Sequence, residues 1–427
     1  MLVPEVFCNS EIGTLRKVIV HRPDAGISRI SPKDAEELLF DDIVYLPQMQ
    51  AEHDIFTNVL KAFLGEENVL FIDKLLCEAL NADEVRKAEL IRMIVDYEEL
   101  PSSYGHIFQE WTNEELAAVL ISGYHAEDDH YFFDPIPNFI FTRDIAIVVK
   151  DHVVIAKAAK EARYRENILA RYIFWAHPLF SSLQDEGKVI NLNWRENFPP
   201  SKKGEWINLE GGDTMMFDND FLLIGNSERT SEHAIHSLAK VVLEKGLVKR
   251  VAQVNIPSER YCMHIDTVFT RLNYNHMVVY KPLIYDGKSS DVIVFGLDGE
   301  KTTYPSLKDF ILAEVNPDMQ FIFSGRGESP YQEREQWTDG CNLVAIKPGV
   351  AIAYDRNPET EIAFREAGYS VIHATELLEN FKSGKMRPEE VENTIITLPS
   401  NELSRARGGS HCMTLPVQRD QISNTNS

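Results

Sequence analysis

One thiol in this chain of 427 residues sits where a reactive cysteine would. Cys412 follows Arg405, Ala406, Arg407, Gly408, Gly409, Ser410 and His411 in direct succession. Neighbouring arginines lower a thiol's pKa, and a glycine pair permits positive φ and a close approach of backbone to ligand. Three other short motifs supply acids and a base. They are Phe-Thr-Arg-Asp ending at Asp144, Leu-Glu-Gly-Gly-Asp with Glu210 and Asp213, and His264-Ile265-Asp266. Read as strand, His264 and Asp266 point to one face. Several carboxylates facing a common space repel unless a cation lies among them. A planar cation that takes paired bonds from carboxylates is a guanidinium. None of these motifs has the spacing of a metal site, and the expectation is no metal and no cofactor. Cys341 is the rival nucleophile. It lacks the Gly-Gly-Ser-His approach and follows Asp339, whose charge would raise its pKa. Cys262 is expected to pack, and His106, His125 and His130 to be surface or hydrogen-bonded structural residues.

The elements that must bring these residues together recur along the chain. Asp144 precedes the apolar run Ile145–Val149, a turn at residues 150–152, and Val153–Ala156. Asp213, Asp266 and Cys341 each precede a similar pair of short β-rich runs around turn residues. This is a hairpin signal. A helix and a third strand follow. After Phe221–Gly225 come Thr230 or Ser231 as N-cap, a helix burying Ile235, Leu238 and Val242, Gly246 as C-cap, and Val248–Ile256. Ala158–Phe174 with Val189–Leu192, and Thr360–Ala367 with Ser370–His373, repeat the order; Asp291–Phe323 does so less clearly. His411-Cys412 opens the pattern once more, and Leu15–His21 can supply the strand it lacks by pairing the termini. Such repetition suits a ring of five strand-strand-helix-strand units. Asp144, Asp213, Asp266, Cys341 and Cys412 would then all face one central funnel. Between residues 73 and 129 the three- and four-residue spacing of Leu75, Leu76, Leu80, Leu90, Met93, Ile94, Leu116, Val119 and Leu120 predicts an inserted helical bundle. Asn81, Pro101 and Thr112 punctuate it, and the acidic run Glu127–Asp129 reads as a solvated linker.

Composition narrows the function. The formal charge of −23 argues against a nucleic-acid partner and suits a cationic ligand. No apolar run reaches membrane-spanning length, and the first residues lack the pattern of a secretion signal, so neither membrane nor export is expected. Five scattered cysteines without a CxxC pair imply neither a disulfide framework nor structural zinc, and point to the cytoplasm.

The motifs together resemble the arginine deiminases, members of the guanidine-modifying superfamily. The resemblance runs through Leu15–Pro23, Glu37–Ile43, Ala51–Phe56, Asn138–Asp144, Glu210–Asp213, Gly225–Ser231, Met263–Phe269, Asp339–Asn342 and Arg407–Met413. It implies an α/β fold, the five-bladed ββαβ propeller called a pentein. Residues 1–73 and 130–418 would form the catalytic domain, 74–129 the helical insert and 419–427 a flexible tail. It implies hydrolysis of L-arginine to L-citrulline and ammonia, with Cys412 as nucleophile and His264 with Glu210 handling protons. Asp144 and Asp266 would clamp the guanidinium. Arg163 and Arg229 would hold the substrate carboxylate with Asn138 assisting. Phe141 would stack along the guanidinium, and Arg407 would gate the thiol. Family members usually carry Arg-Gly-Arg-Gly-Gly before the cysteine. Ala406 breaks that run, and alanine resists positive φ, so the gate's motion is expected to differ. An amidinotransferase, a deiminase of agmatine and a silent arginine-binding protein are the alternatives. Assembly into a homodimer or higher homo-oligomer is left open.

Overall fold

The computed structural model describes residues 5–33, 37–40 and 42–422. Asp41 of the Glu37–Ile43 motif and residues 423–427 of the expected tail lie outside the described residues. The architecture is mixed α/β. Ala146–Val149 pairs antiparallel with His152–Ile155, Thr214–Met216 with Phe221–Asn226, Phe269–Arg271 with His276–Val279, and Val344–Lys347 with Val350–Tyr354. These are the hairpins the turn chemistry predicts. A further pair joins the two ends of the chain, with Leu15–Val20 antiparallel to Leu415–Arg419.

To each second strand a parallel one is added. Val189–Asn191 joins His152–Ile155, Arg250–Asn255 joins Phe221–Asn226, and Gln320–Phe323 joins His276–Val279. Thr394–Leu398 joins Val350–Tyr354, and Val69–Phe71 joins Leu15–Val20. Parallel neighbours need a long crossover, which helices such as Leu46–Leu64 and Glu232–Glu244 provide. The latter begins at Ser231, whose hydroxyl accepts from the Ala234 amide, and buries Ile235, Leu238 and Val242 as its spacing predicts.

Three expectations need correction. Ser370–His373 is not next to Val350–Tyr354; Thr394–Leu398 lies between them and Ser370–His373 takes the outer place. Its half-exposed pattern suits that edge, whereas Thr394–Leu398 is buried throughout. Val292–Gly296 and Lys301–Tyr304 belong to the neighbouring sheet, pairing antiparallel onto Arg250–Asn255 and then onto each other. At the C-terminus, packing continues past residue 418: Arg419 completes its strand, donates to the carbonyls of Gly13 and Ala345, and Ile422 is buried.

The predicted insert forms helices Ile72–Ala82, Glu84–Tyr97, Tyr104–Glu110 and Asn113–Ser122. Thr112 starts the last with a reciprocal capping box to Glu115, a device worth about 1 kcal/mol. Asp83, rather than Asn81, caps Glu84–Tyr97 by accepting from the Val85 and Arg86 amides. The apolar faces of these helices pack with Ile145, Val148, Leu169, Ile173 and Leu415 in one core. The insert is thereby continuous with the sheets that carry the C-terminal cysteine. Glu127–Asp129 forms the turn of a small hairpin, Tyr124–His125 with His130–Tyr131. No helix among the described residues is long and apolar enough to cross a membrane.

Candidate active site

The chemistry-bearing residues arrive on single helical turns at the edges of the sheets. Asp144 ends the turn Thr142–Asp144, Glu210 immediately precedes Gly211–Asp213, and His264 immediately precedes Ile265–Thr267. Asp266 therefore lies inside a turn and not on a strand. The two-residue alternation expected for His264 and Asp266 does not apply, although both side chains enter the site.

Two linked clusters result. In the first, a ring nitrogen of His264, Nε2, lies 3.0 Å from Glu210 Oε2, and Nδ1 lies 3.9 Å from Asp144 Oδ1. Arg163 fills the space between the acids. Its Nη1 donates to Asp144 Oδ2 at 2.6 Å and to Glu210 Oε2 at 3.2 Å, and its Nη2 to Glu166 Oε2 at 2.8 Å. The resemblance assigns Arg163 to a substrate carboxylate; here it is the counter-ion of three buried acids. Buried carboxylates demand such a cation. Asp144, Glu210 and His264 have ligand atoms within 4.8 Å of one another, as a metal site would, but the chain's own guanidinium bonds to both acids.

The second cluster surrounds the sulfur. Asn342 donates from Nδ2 to Cys412 Sγ at 3.1 Å, while its Oδ1 accepts from the Cys412 amide at 3.1 Å. The thiol lies 3.4 Å from Asp266 Oδ2, which is also 2.9 Å from His411 Nδ1. The other nitrogen of His411 is 3.1 Å from Glu11, which pairs with Arg143. Sequence reasoning named no role for Asn342, His411, Glu11 or Glu166. Asn342 and His411 at least fall inside the motifs that carry the resemblance. Glu11 carries no local signal, because Arg143 and His411 are distant in sequence, whereas Glu166 stands three residues from Arg163, a spacing common to surface ion pairs.

The electrostatics follow from burial and neighbours. Burial alone would lower the His264 pKa, but Asp144, Glu210 and Asp213 outweigh it and hold the imidazole at about 9. Burial would raise Glu210, yet Arg163, His264 and Arg229 hold it well below the carboxylate range. Asp266 is likewise held low, against burial, chiefly by His411. Burial raises Glu166 to about 7 despite Arg163. Burial, Asp266, Asp144 and Asp339 push the Cys412 thiol well above its ordinary value. Burial and the neighbouring acids therefore favour the neutral thiol over the thiolate.

The approach to Cys412 differs from its sequence reading. Neither Gly408 nor Gly409 has positive φ; Arg407 does, at 65°. The glycines serve close packing instead. A β-carbon on Gly408 would come within 2.3 Å of the Phe141 ring, and one on Gly409 within 2.5 Å of the Asn342 carbonyl. Ala406 ends the short helical stretch Leu403–Ala406 and needs no positive φ. The Arg407 guanidinium carbon lies 3.2 Å from the centre of the Trp337 ring, a cation–π stack at the mouth of the site.

Leu39, Asn138, Phe141, Asp144, Arg163, Arg229, His264, Arg407 and Cys412 line one cavity of about 20 Å³. That is room for about one water molecule, so the site is closed around Arg163. Asn138 donates to the Leu38 carbonyl. Arg229 is buried with Nη1 3.5 Å from Glu210, and its Nε has no hydrogen-bond partner. Asp213 and Cys341, expected to face the funnel, do not line this cavity. Asp213 accepts from Ser227 and the Ile265 amide, and burial drives the Cys341 thiol far up. Cys262 is buried and donates to the Pro257 carbonyl.

The family model described as arginine deiminase matches residues 36–419. An arginine deiminase of Listeria monocytogenes serotype 4a is 33% identical over 437 residues, covering 97% of each chain. One from Bacillus cytotoxicus is 34% identical over 446 residues, covering 98% of this chain and 99% of its own. Among solved structures, the product-bound N-terminal domain of ArgZ, an arginine dihydrolase of cyanobacteria, superposes with a TM-score of 0.50. It shares 13% identity, covers 95% of this chain and 99% of its own, and speaks for the fold alone. The match of motifs, length and most of the chain places this protein in the arginine deiminase family.

Proposed function

We propose that this chain hydrolyses free L-arginine to L-citrulline and ammonia through a covalent intermediate on Cys412. The observation that carries the reading is the binding of a guanidinium, that of Arg163, by Asp144 and Glu210 in the cavity that Cys412 lines. A site that holds one guanidinium on buried carboxylates has the charge and planarity to hold another. The arginine deiminases among its relatives support this substrate.

Substrate entry requires Arg163 to leave Asp144. Its natural destination is the substrate carboxylate beside Arg229, whose buried Nε lies 3.9 Å from Glu228 and makes no hydrogen bond among the described residues. Asp144 and Asp266 then hold the incoming guanidinium, with Phe141 along its face, Asn138 assisting at the carboxylate end and Arg407 over the mouth. A guanidinium about 4 Å from the sulfur, at an effective dielectric near 20, favours the thiolate by roughly 4 kcal/mol. That works against the elevation imposed by burial and by the acids. The thiolate attacks the guanidinium carbon, forming a C–S bond. Protonated His264, oriented by Glu210, gives its proton to the departing amine, and ammonia leaves a thiouronium on Cys412. The now neutral His264 takes a proton from water as the oxygen adds to carbon. The C–S bond breaks to release the thiolate, the protonated carbonyl of citrulline gives its proton to the released ammonia, and the thiolate and imidazolium are restored. Asn342 donates to the sulfur throughout.

We also propose that the five strand-strand-helix-strand units surround a common axis, with residues 74–129 as an inserted subdomain. The closure of Leu15–Val20 onto Leu415–Arg419 supports this arrangement. Citrulline formation from arginine in water, with agmatine in a parallel reaction, tests the activity. Turnover of arginine without an added acceptor amine is expected. Turnover of agmatine alone would favour the decarboxylated substrate, and no turnover of either would defeat the proposal.

A further inference from the structure

A second cavity, of about 350 Å³, lies away from Cys412 and shares no lining residue with the site above. Its walls are mostly apolar: Met93 of the helical insert, Ile155, Ile168, Trp175, Val189 and Trp194. This volume is in the usual range of small-molecule sites. One cation enters it. Arg171, on helix Tyr164–Ala176, is half-buried, and among the described residues its one side-chain hydrogen bond is to the sulfur of Met93 at 3.5 Å. Among the described residues it makes no ion pair, in contrast to Arg163 and Arg165 on the same turn-and-helix segment, each of which meets a carboxylate. Burial lowers its pKa with no acid to offset the loss. Asn191 also lines the cavity. Its side-chain oxygen accepts twice from Asn193, leaving its amide nitrogen as a second donor. Gln184 offers a third polar group.

A half-buried guanidinium without a counter-ion has lost part of its hydration, and the apolar cavity beside it offers nothing in return unless an anion enters. We infer that this cavity binds an organic carboxylate with an apolar body, the carboxylate on Arg171 and Asn191 and the body between Trp175, Ile168 and Trp194. The guanidinium fork suits a carboxylate better than a neutral group. The site is also mechanically placed to report on the first. Helix Tyr164–Ala176 lines this cavity, follows Arg163 directly and carries Glu166, which accepts from Arg163, so it reaches the first site through that pair.

Full-length protein is titrated with phenylacetate and with octanoate, each beside its neutral alcohol, 2-phenylethanol or 1-octanol. Tryptophan fluorescence reads occupancy, since Trp175 and Trp194 line the cavity, and calorimetry gives the affinity. At least one acid is expected to bind saturably, tenfold or more tighter than its alcohol. Arg171→Met should weaken the acid at least tenfold, and Arg171→Lys should keep most of the affinity. Ile168→Trp, which fills the cavity, should abolish binding and decides the matter if Arg171→Met does not fold. Absence of saturable binding by both acids, equal binding of acid and alcohol, or undiminished binding to Arg171→Met or Ile168→Trp would overturn the inference.

Discussion

The Arg163 guanidinium rests 2.6 Å from Asp144, on the carboxylate proposed to clamp the substrate's own guanidinium. The protein thus supplies an internal counter-ion where its substrate would bind. Removing it strands Asp144, Glu166 and Glu210 without their shared cation. Arg163→Gln should therefore cost about 3–5 kcal/mol of folding stability, since breaking a buried pair leaves uncompensated charge. Urea unfolding measures this; a loss below 1 kcal/mol would mean the acids find other partners.

Gly212 exists for the site and not for a turn. A β-carbon there would come within 2.7 Å of His264 Nδ1 and 3.0 Å of Asp144 Oδ1. Gly212→Ala should reduce kcat at least about 100-fold, as expected for a misplacement near 1 Å, while the fold survives. Full activity with an unchanged circular-dichroism melt would show that the two groups do not need this spacing.

Asn342 holds Cys412, the proposed nucleophile, at both its amide and its sulfur. Asn342→Ala is predicted to lower kcat by about 10²–10³, the size of losing one preorganised donor at a reacting atom, with a smaller change in KM. Equal loss in kcat and KM-limited binding would assign Asn342 to substrate affinity instead.

His264 gives the pH dependence its sign. Its pKa stands at about 9, above its ordinary 6.5. As the proposed proton donor it carries its proton below about 9 and loses it above, so kcat/KM should fall as pH rises through that value. The same ion pairing contributes stability that is complete below 6.5 and disappears as pH rises through about 9. A rate profile flat to pH 10 would contradict the role of His264 as a cationic acid.

Much of this was readable from residue order because the fold is built from local signals repeated along the chain. Turn residues at 150–152, 218–220 and 273–275 marked the hairpins, and the three-to-four-residue leucine spacing marked the insert. Ser231 and Thr112 announced helix starts. What escaped depends on partners distant in sequence. Thr394–Leu398 displaced Ser370–His373 because its fully buried pattern suits an inner position, a choice no local propensity encodes. Asp213 and Cys341 occupy pattern positions equivalent to Asp144 and Cys412, yet one is consumed by Ser227 and the other by burial. Gly408 and Gly409 looked like residues of positive φ, but the contacts with Phe141 and Asn342 that require them appear only after folding. Glu11 was invisible for the same reason, since its cation Arg143 is distant in sequence. Glu166 stands three residues from Arg163, an ordinary helical ion-pair spacing that does not announce burial.

Acid quench during turnover of arginine, followed by mass spectrometry of the peptide containing Cys412, tests the central claim most directly. A thiouronium adduct on Cys412 is expected, appearing within the first turnover and absent from Cys412→Ala, which should form no citrulline. Citrulline production by Cys412→Ala at the rate of the unmodified protein would contradict the account.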